Sequence, residues 1–436
     1  MSTTDTRMPF ADALAERMLI FDGAMGTEIY KRNVFTNRNF DELCLSDPEI
    51  IRTIHKQYCD AGADVLTTNS FGANRPKLAR FGLAERGAEI NAAAVALARE
   101  VAAAAGRDVY VAGSVGPVEL AGAARPAIIA ALAEHARWLI AADVDVVIFE
   151  TLPTRAAVEN AAAAWNEIAA TTSIPYIVSV VVDNRGETVA GEALEHVLAA
   201  LPAELPPPLA WGLNCGIGPN DMLSACERAM RQLDRPLIVQ PNAGLPRLVE
   251  NRHIYMCSPE YITTYAKRYV DLGVRGIGGC CGTAPEHIRE ISQALKPYTR
   301  RRVEITSVGK HRGVPEKQPV PFAERSRLAA RLAASQWIRT VEVVPPRGFD
   351  LDTVLAKVKT CRDHGVDAIN IPDGPRASSR MSPLVTALRI QQEANIETIL
   401  HFCCRDRNLI GMQADLLGCA AAGLRNILFV TGDPPK

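Results

Sequence analysis

The chain has 436 residues, 48% hydrophobic and 22% charged, with a formal net charge of −1. That length suits two domains better than one, and the composition excludes wholesale disorder. A near-zero charge provides no field for nucleic acid or an anionic membrane, so neither is expected as a partner. The opening MSTTDTRMPF lacks the apolar core of a secretion signal, and no stretch is long and apolar enough to span a bilayer. A cytoplasmic location is therefore expected. There the 11 cysteines should remain thiols, and an odd number cannot form a complete disulfide framework. Buried, inert cysteine is the plain reading for Cys44, Cys59, Cys226 and Cys257.

Eight apolar, strand-like runs follow one another through residues 1–300: MLIFDGAMGT, DVLTTNSFG, VYVAGSVGP, DVVIFET, YIVSVVVD, LAWGLNCG, PLIVQPNAG and VRGIGGCCG. Stretches with apolar residues at helical spacing separate them, and several end in Gly just before the next strand, as a helix C-cap requires. Strand–helix alternation predicts a parallel sheet, and eight units in this length fit a closed (β/α)8 barrel of the TIM type. An open doubly wound sheet is the alternative. In a barrel the C-terminal strand ends meet on one face, where such folds keep their chemistry. Asp22, Gly23 and Gly26 follow the first strand, and Thr67, Thr68, Asn69 and Ser70 the second. Glu150 ends the fourth, Asn214 and Cys215 the sixth, Gln240 and Asn242 the seventh, and Cys280 and Cys281 the eighth. Any one of these alone is an ordinary loop residue. Their recurrence at so many strand ends is what predicts a site.

Three thiols at one point suit zinc, copper(I) or an iron–sulfur cluster. A cluster usually needs four cysteines, and no fourth occupies a matching strand end. Three protein ligands with one open position is the pattern of catalytic zinc. An activated cysteine nucleophile is the alternative, although no evident Cys–His pairing supports it. The open position of a thiolate-rich zinc favours a soft ligand, hence a thiol substrate. A free thiol has a pKa near ~8.5 and is only slightly ionised at neutral pH, whereas metal coordination deprotonates it. Asp22 and Glu150 are acceptors suited to an ammonium group, and backbone N–H groups around Gly23–Gly26 to a carboxylate. An amino-acid thiol matches that set, and an activated methyl group is a natural electrophile for it.

The segments FDGAMGTEI, DVLTTNSFGAN, GSVGP, FET, GLNCG, QPNAG and GGCCGTAPEHI resemble, in order, the motifs of the homocysteine S-methyltransferase family. The resemblance covers about residues 10–300. It implies a zinc barrel with Cys215, Cys280 and Cys281 as ligands and with Asp22, Gly23 and Glu150 holding homocysteine. In some members an asparagine or tyrosine takes the fourth zinc position before substrate arrives, and Asn242 occupies the matching asparagine position. The methyl donor is not written in these motifs: 5-methyltetrahydrofolate, S-methylmethionine, S-adenosylmethionine and betaine all remain. No cobalamin-binding segment is recognisable, so a corrinoid route would need a partner protein. A non-catalytic zinc- or thiol-binding regulator is the contrasting reading, although storage of zinc does not call for Asp22 and Glu150.

Residues 301–330 are basic and Pro-containing and read as a linker into a helix. Strands and helices resume over 331–436 with RTVEVVPPRG, VDAINIPDGP, ETILHFCCRDRN and NILFVTGDPP. Cys361 and Cys419 read as helical, and the adjacent pair Cys403 and Cys404 has no third cysteine beside it. VEVVPPR, HFCCRDRN and VTGDPP resemble the flavin-dependent barrel of methylenetetrahydrofolate reductase. The resemblance implies Glu342 as the acid that assists opening of the folate ring, with His401 and Asp433 near the flavin. Only about four of eight strand–helix units occur before Lys436. The expectation is a fragment of a longer bifunctional chain, with FAD bound only if the barrel is complete and with reductase activity absent from these residues.

Overall fold

The computed structural model describes residues 7–34, 38–118, 122, 124–199, 201–202, 204–244, 247–249, 252–299, 320–375, 378–405 and 407–431. The chain divides into two compact units, Met1–Ile305 and Thr306–Lys436. Among the described residues no helix is long and apolar enough to cross a membrane.

The first unit is a parallel barrel. Its strands are β1 (Leu19–Ile20), β2 (Val65–Thr67), β3 (Tyr110–Val115), β4 (Val146–Leu152), β5 (Tyr176–Val180), β6 (Ala210–Asn214), β7 (Leu237–Gln240) and β10 (Gly276–Ile277). Neighbours run in the order β1-β10-β7-β6-β5-β4-β3-β2. A parallel bridge between Phe21 and Val65 joins the two ends of that row. There the Asp64 N–H donates to Ile20 O at 2.6 Å and the Asp22 N–H to Val65 O at 3.0 Å. The eight runs read from the sequence are these eight strands, and the sheet curls on itself rather than staying open. An antiparallel hairpin, β8 (Arg247–Val249) with β9 (Arg252–Ile254), interrupts the connection from β7 to β10. Its three-residue strands are too short to show a period, so the sequence pattern gives no sign of it.

Two apolar layers hold the barrel. Inside it, Leu19, Phe21, Val65, Tyr110, Ile148 and Ile177 pack with Phe10 and Leu14 of the helix Phe10–Glu16. Leu19, Val65, Tyr110 and Ile177 lie at or next to the starts of their strands, so the helix plugs the N-terminal end; Phe10 meets Tyr110 edge-on at 5.5 Å. Burying each such side chain is worth about 1.5–3 kcal/mol, which is why this end is filled and carries no chemistry. Outside the sheet the helices pack by their apolar faces. In Pro48–Ala61 the buried residues Ile51, Ile54, His55, Tyr58 and Cys59 recur at helical spacing, Pro48 opens the helix, and Gly62 closes it in the left-handed conformation. Tyr58 reaches over the strand ends, donating to the carbonyls of Ala24 at 2.9 Å and Thr283 at 3.0 Å. It thereby fixes the loop after β1 against the loop after β10.

The second unit has four parallel strands, β11 (Thr340–Glu342), β12 (Ala368–Ile371), β13 (Glu397–Cys403) and β14 (Asn426–Val430), paired in that order. The helices Asp352–Asp363, Pro383–Ala394 and Leu409–Ala421 connect them. Ile369, Ile371, Val358, Ile390 and Leu400 form its core. Among the described residues both edges are open: every residue of β11 is exposed, and Phe429 of β14 is 66% exposed.

Candidate metal and substrate site

Three loops bring the cysteines together, and backbone hydrogen bonds lock those loops. Cys215 N–H donates to Gln240 O at 3.1 Å, Cys280 N–H to Pro241 O at 2.9 Å, and Ala243 N–H to Cys281 O at 2.9 Å. The loops after β6, β7 and β10 are thus one laced surface. Cys215 has φ +61° and Gly216 φ +75°, so the chain turns sharply as it leaves β6. A non-glycine residue held there costs of order 1–3 kcal/mol, and such strain collects at functional sites. The sulfur atoms of Cys215, Cys280 and Cys281 all lie within 4.8 Å of one another, with Cys215 Sγ 3.7 Å from Cys281 Sγ. Two sulfurs bound tetrahedrally at ~2.3 Å to one zinc stand about 3.8 Å apart, so the observed spacing fits that ion. Asn242 is buried, and its Oδ1 has no hydrogen-bond partner, while its amide bonds the Cys215 sulfur. An orphaned oxygen beside three thiols fits a fourth ligand position. Hydrogen bonds from Cys280 and Cys281 hold the Cys215 thiol far below its ordinary pKa, at about 3. The bond to Cys215 in turn pushes Cys280 well up and Cys281 up to about 11.

Two carboxylates face the same cavity. Asp22 is buried and accepts from Thr67 twice, from the backbone N–H at 2.7 Å and the hydroxyl at 2.8 Å. Glu150 accepts a short hydrogen bond from Ser114 and another from Asn214 Nδ2 at 3.2 Å. Asn214 is itself held, since its Oδ1 accepts from Ser179 at 2.7 Å and from the Thr151 N–H at 3.0 Å. Burial raises both carboxyl groups to about 7, against the hydrogen bonds that lower them; the charge at Cys215 adds to the rise at Glu150 and that at Glu150 to the rise at Asp22. Neither has a cationic side chain among these partners. The pair is therefore poised to take an external cation, which would draw both back to the ionised form. Gly23 is required by packing, because a Cβ there would lie 2.8 Å from Thr283 Oγ1 and 2.9 Å from Tyr58. The backbone around Gly23–Gly26 is less free than expected for a carboxylate cradle: the Ala24 N–H is already engaged by Thr283.

The cavity measures about 590 Å³ and is lined by both carboxylates and all three cysteines, together with Phe40 and Phe71. That is room for an amino acid and a second small molecule. Among the lining residues, Ser114 and Asp41 escaped the sequence reading. Ser114 lies inside the GSVGP run and is signalled only by being a polar residue in a buried strand. Asp41 lies in an irregular stretch with no strand to mark it, and it accepts from the Gly72 N–H at 3.0 Å. Outside the lining, Tyr255 follows the unforeseen hairpin, and its ring lies against Gly282, next to Cys281.

In the second unit Glu342 pairs in register with Asn370, and His401 Nε2 lies 3.3 Å from Asn370 Oδ1. Glu342 is exposed. Asp433 lies outside the described residues. Cys403 is buried and Cys404 exposed, and among the described residues neither joins a group of metal-type ligands.

Comparison with known proteins agrees with this division. Residues 19–295 match the family model described as homocysteine S-methyltransferase, and residues 327–436 that of methylenetetrahydrofolate reductase. The methionine synthase of Mycobacterium tuberculosis is 32% identical over 317 residues, covering 68% of this chain and 26% of that protein. Its counterpart in Mycobacterium leprae is 31% identical over 306 residues, covering 65% and 25%. The chain thus spans about a quarter of the length of these curated relatives. The crystal structure of the homocysteine methyltransferase MmuM from Escherichia coli, in its metallated form, superposes with a TM-score of 0.55 at 28% identity, covering 64% of this chain and 96% of that one. With the barrel, its strand-end cysteines and the match over residues 19–295 together, the chain belongs to the homocysteine S-methyltransferase family.

Proposed function

We propose that the N-terminal barrel transfers a methyl group to the sulfur of homocysteine, forming methionine. The observation that carries this reading is the convergence of three thiols and two carboxylates on one cavity. Cys215, Cys280 and Cys281 would hold zinc, with Asn242 Oδ1 at the remaining position until substrate arrives. When bound, that ion supplies the positive charge that keeps a substrate thiol ionised at neutral pH. Asp22 and Glu150 accept the substrate ammonium, and Thr67, Ser114 and Asn214 hold those carboxylates in place. Anchored at its amino-acid end, the substrate would place its sulfur beside the three cysteines, with a lone pair facing the incoming methyl group. A sulfur lone pair forms the new S–CH3 bond as the bond from the methyl carbon to the donor breaks, its electron pair leaving with the donor.

The donor is one of 5-methyltetrahydrofolate, S-methylmethionine, S-adenosylmethionine, betaine or a methylated corrinoid on a partner protein. Incubating the purified chain with homocysteine and each donor in turn, and measuring methionine, tests the reading. One donor should support turnover; no methionine with any of them would refute it. A regulator that only stores zinc is disfavoured by Asp22 and Glu150, which such a role leaves without purpose.

A folate reductase site on the second unit is a further reading, supported by the match over residues 327–436 and by the grouping of Glu342, Asn370 and His401. The described residues do not by themselves fit FAD: β11 is exposed along its length and no wall closes over Glu342. We derive no reductase step from them.

A further inference from the structure

An α-amino acid carries its ammonium and its carboxylate on one carbon. A wall that reads both needs an acceptor and a donor side by side. A regular strand cannot supply them from consecutive residues, because successive side chains point to opposite faces. The fourth strand departs from that rule where it meets the cavity. Along β4, Val146 and Ile148 face the barrel interior, and Val147 and Phe149 face the helices. Strict alternation would send Glu150 inward, Thr151 outward and Leu152 inward. Instead Glu150 and Thr151 both line the cavity, and Leu152 lies in the outer layer. Phe149 stands opposite Val178 and Leu152 opposite Val180, so β4 takes three steps where β5 takes two. This is a β-bulge, a device that re-aims side chains. Thr151 is its strained residue, at φ +58°. A residue branched at Cβ is an outlier there, so the surrounding structure must hold it.

Asn214 is the clamp. Its Oδ1 accepts from the Thr151 N–H at 3.0 Å and from the Ser179 hydroxyl at 2.7 Å. A backbone N–H can only donate, so that contact fixes which end of the amide is oxygen. The amide nitrogen therefore faces the bulge side chains, donating to Thr151 Oγ1 at 2.8 Å and Glu150 Oε2 at 3.2 Å. Asn214 is buried, and every bond open to an amide side chain is made. Gly212, opposite Ser179, makes room for this: a Cβ there would fall 2.6 Å from Ser179 Oγ. The Thr151 hydroxyl oxygen is thus engaged as an acceptor, and among the described residues its proton meets no acceptor. In the loop after β1 the Ala24 N–H is taken by Thr283, so that loop has one free donor fewer for a carboxylate. We propose that the bulge selects an α-amino acid: Thr151 Oγ1–H donates to the substrate carboxylate while Glu150 accepts from the ammonium, and Asn214 holds the two side by side. The inference rests on the homocysteine reading above and adds a carboxylate contact to it. The strained threonine then has a purpose, since an unbulged strand would send its hydroxyl into the helix layer. A hydrogen bond to a charged group sets the size of the effect, about 10-fold in affinity or more.

The test measures binding to the full chain by calorimetry, with no methyl donor present. Its two ligands are homocysteine and 3-aminopropane-1-thiol, which keeps the thiol and the amine and lacks the carboxylate. Thr151→Val retains the branch at Cβ and removes the hydroxyl. Thr151→Gly removes it too, and glycine is at ease at positive φ, so backbone strain cannot account for its loss. Each should weaken homocysteine about 10-fold or more and change 3-aminopropane-1-thiol less than about 2-fold. Thr151→Ser keeps the hydroxyl and should bind homocysteine as wild type does. Equal loss of both ligands in T151V and T151G would overturn the proposal, since that reports a displaced Glu150. Unchanged homocysteine affinity in both variants would overturn it while leaving the homocysteine reading intact. Wild type that binds neither ligand would refute that reading and this inference with it.

Discussion

Both units are built from the same strand–helix repeat, and among the described residues they differ in whether the sheet closes. In the barrel, the Phe21–Val65 bridge joins the first strand to the second, every strand has two neighbours, and polar residues at the C-terminal ends meet around one cavity. In the second unit β11 and β14 are edges, and Glu342 stands in an exposed strand. Closure does two things at once. It removes unpaired edges, and it turns a row of strand ends into a ring whose side chains face each other. The two adjacent-cysteine pairs show the second effect. Cys280–Cys281 meets Cys215 because β6 and β10 flank β7 in a curved wall. Cys403–Cys404 ends a strand in a four-stranded sheet and meets no such partner among the described residues.

The sharpest way to break this comparison is to mutate both pairs. Cys280→Ala should lower methionine formation at least ~100-fold, since a two-thiol site loses the ion and its chemistry. Cys403→Ala should change the rate less than about 2-fold. Equal effects would show that adjacency of cysteines, not their placement in a closed barrel, is what matters. Hydrogen exchange should reveal the same contrast in stability. Amides of β3 and β4, buried and doubly paired, should exchange at least ~100-fold more slowly than those of β11 and β14. Comparable protection in the two sets would contradict the open-edge description.

Next in size is Glu150→Gln. It removes a charge from the proposed ammonium position while keeping the shape, and a charged hydrogen bond is worth about 1.5–3 kcal/mol. KM for homocysteine should rise roughly 10- to 100-fold with little loss of bound metal; an unchanged KM would remove Glu150 from substrate binding. The pH profile carries the same information. Asp22 and Glu150 are raised to about 7, so below that pH both become neutral and lose their hold on a cation. KM should therefore climb as pH falls from 8 to 6, and a flat profile would argue against the pair. The smallest effect is expected at Glu342→Gln, which should leave methyl transfer within about 2-fold of wild type.

Much of the barrel was legible because each strand is a buried apolar run ending in glycine or a polar residue, and that pattern survives without knowledge of neighbours. The cysteines were legible for the same reason: Cys215 and Cys280–Cys281 follow such runs. The supporting residues were not. Ser114 and Ser179 sit within buried strands, and their roles depend on Glu150 and Asn214, which lie across strand neighbours rather than along the chain. Tyr255 was hidden because it reaches Gly282 only after a hairpin returns the chain to the site. Asn242 was placed by resemblance, and its orphaned Oδ1 becomes visible only in three dimensions.

The central claim is an open zinc site completed by the substrate sulfur. X-ray absorption at the zinc edge tests it most directly, on the purified chain with and without homocysteine. The account predicts one zinc per chain with three sulfurs at ~2.3 Å and one oxygen or nitrogen, changing to four sulfurs when homocysteine is added. Protein that holds no stoichiometric zinc, or a three-sulfur signal that homocysteine leaves unchanged, would contradict it.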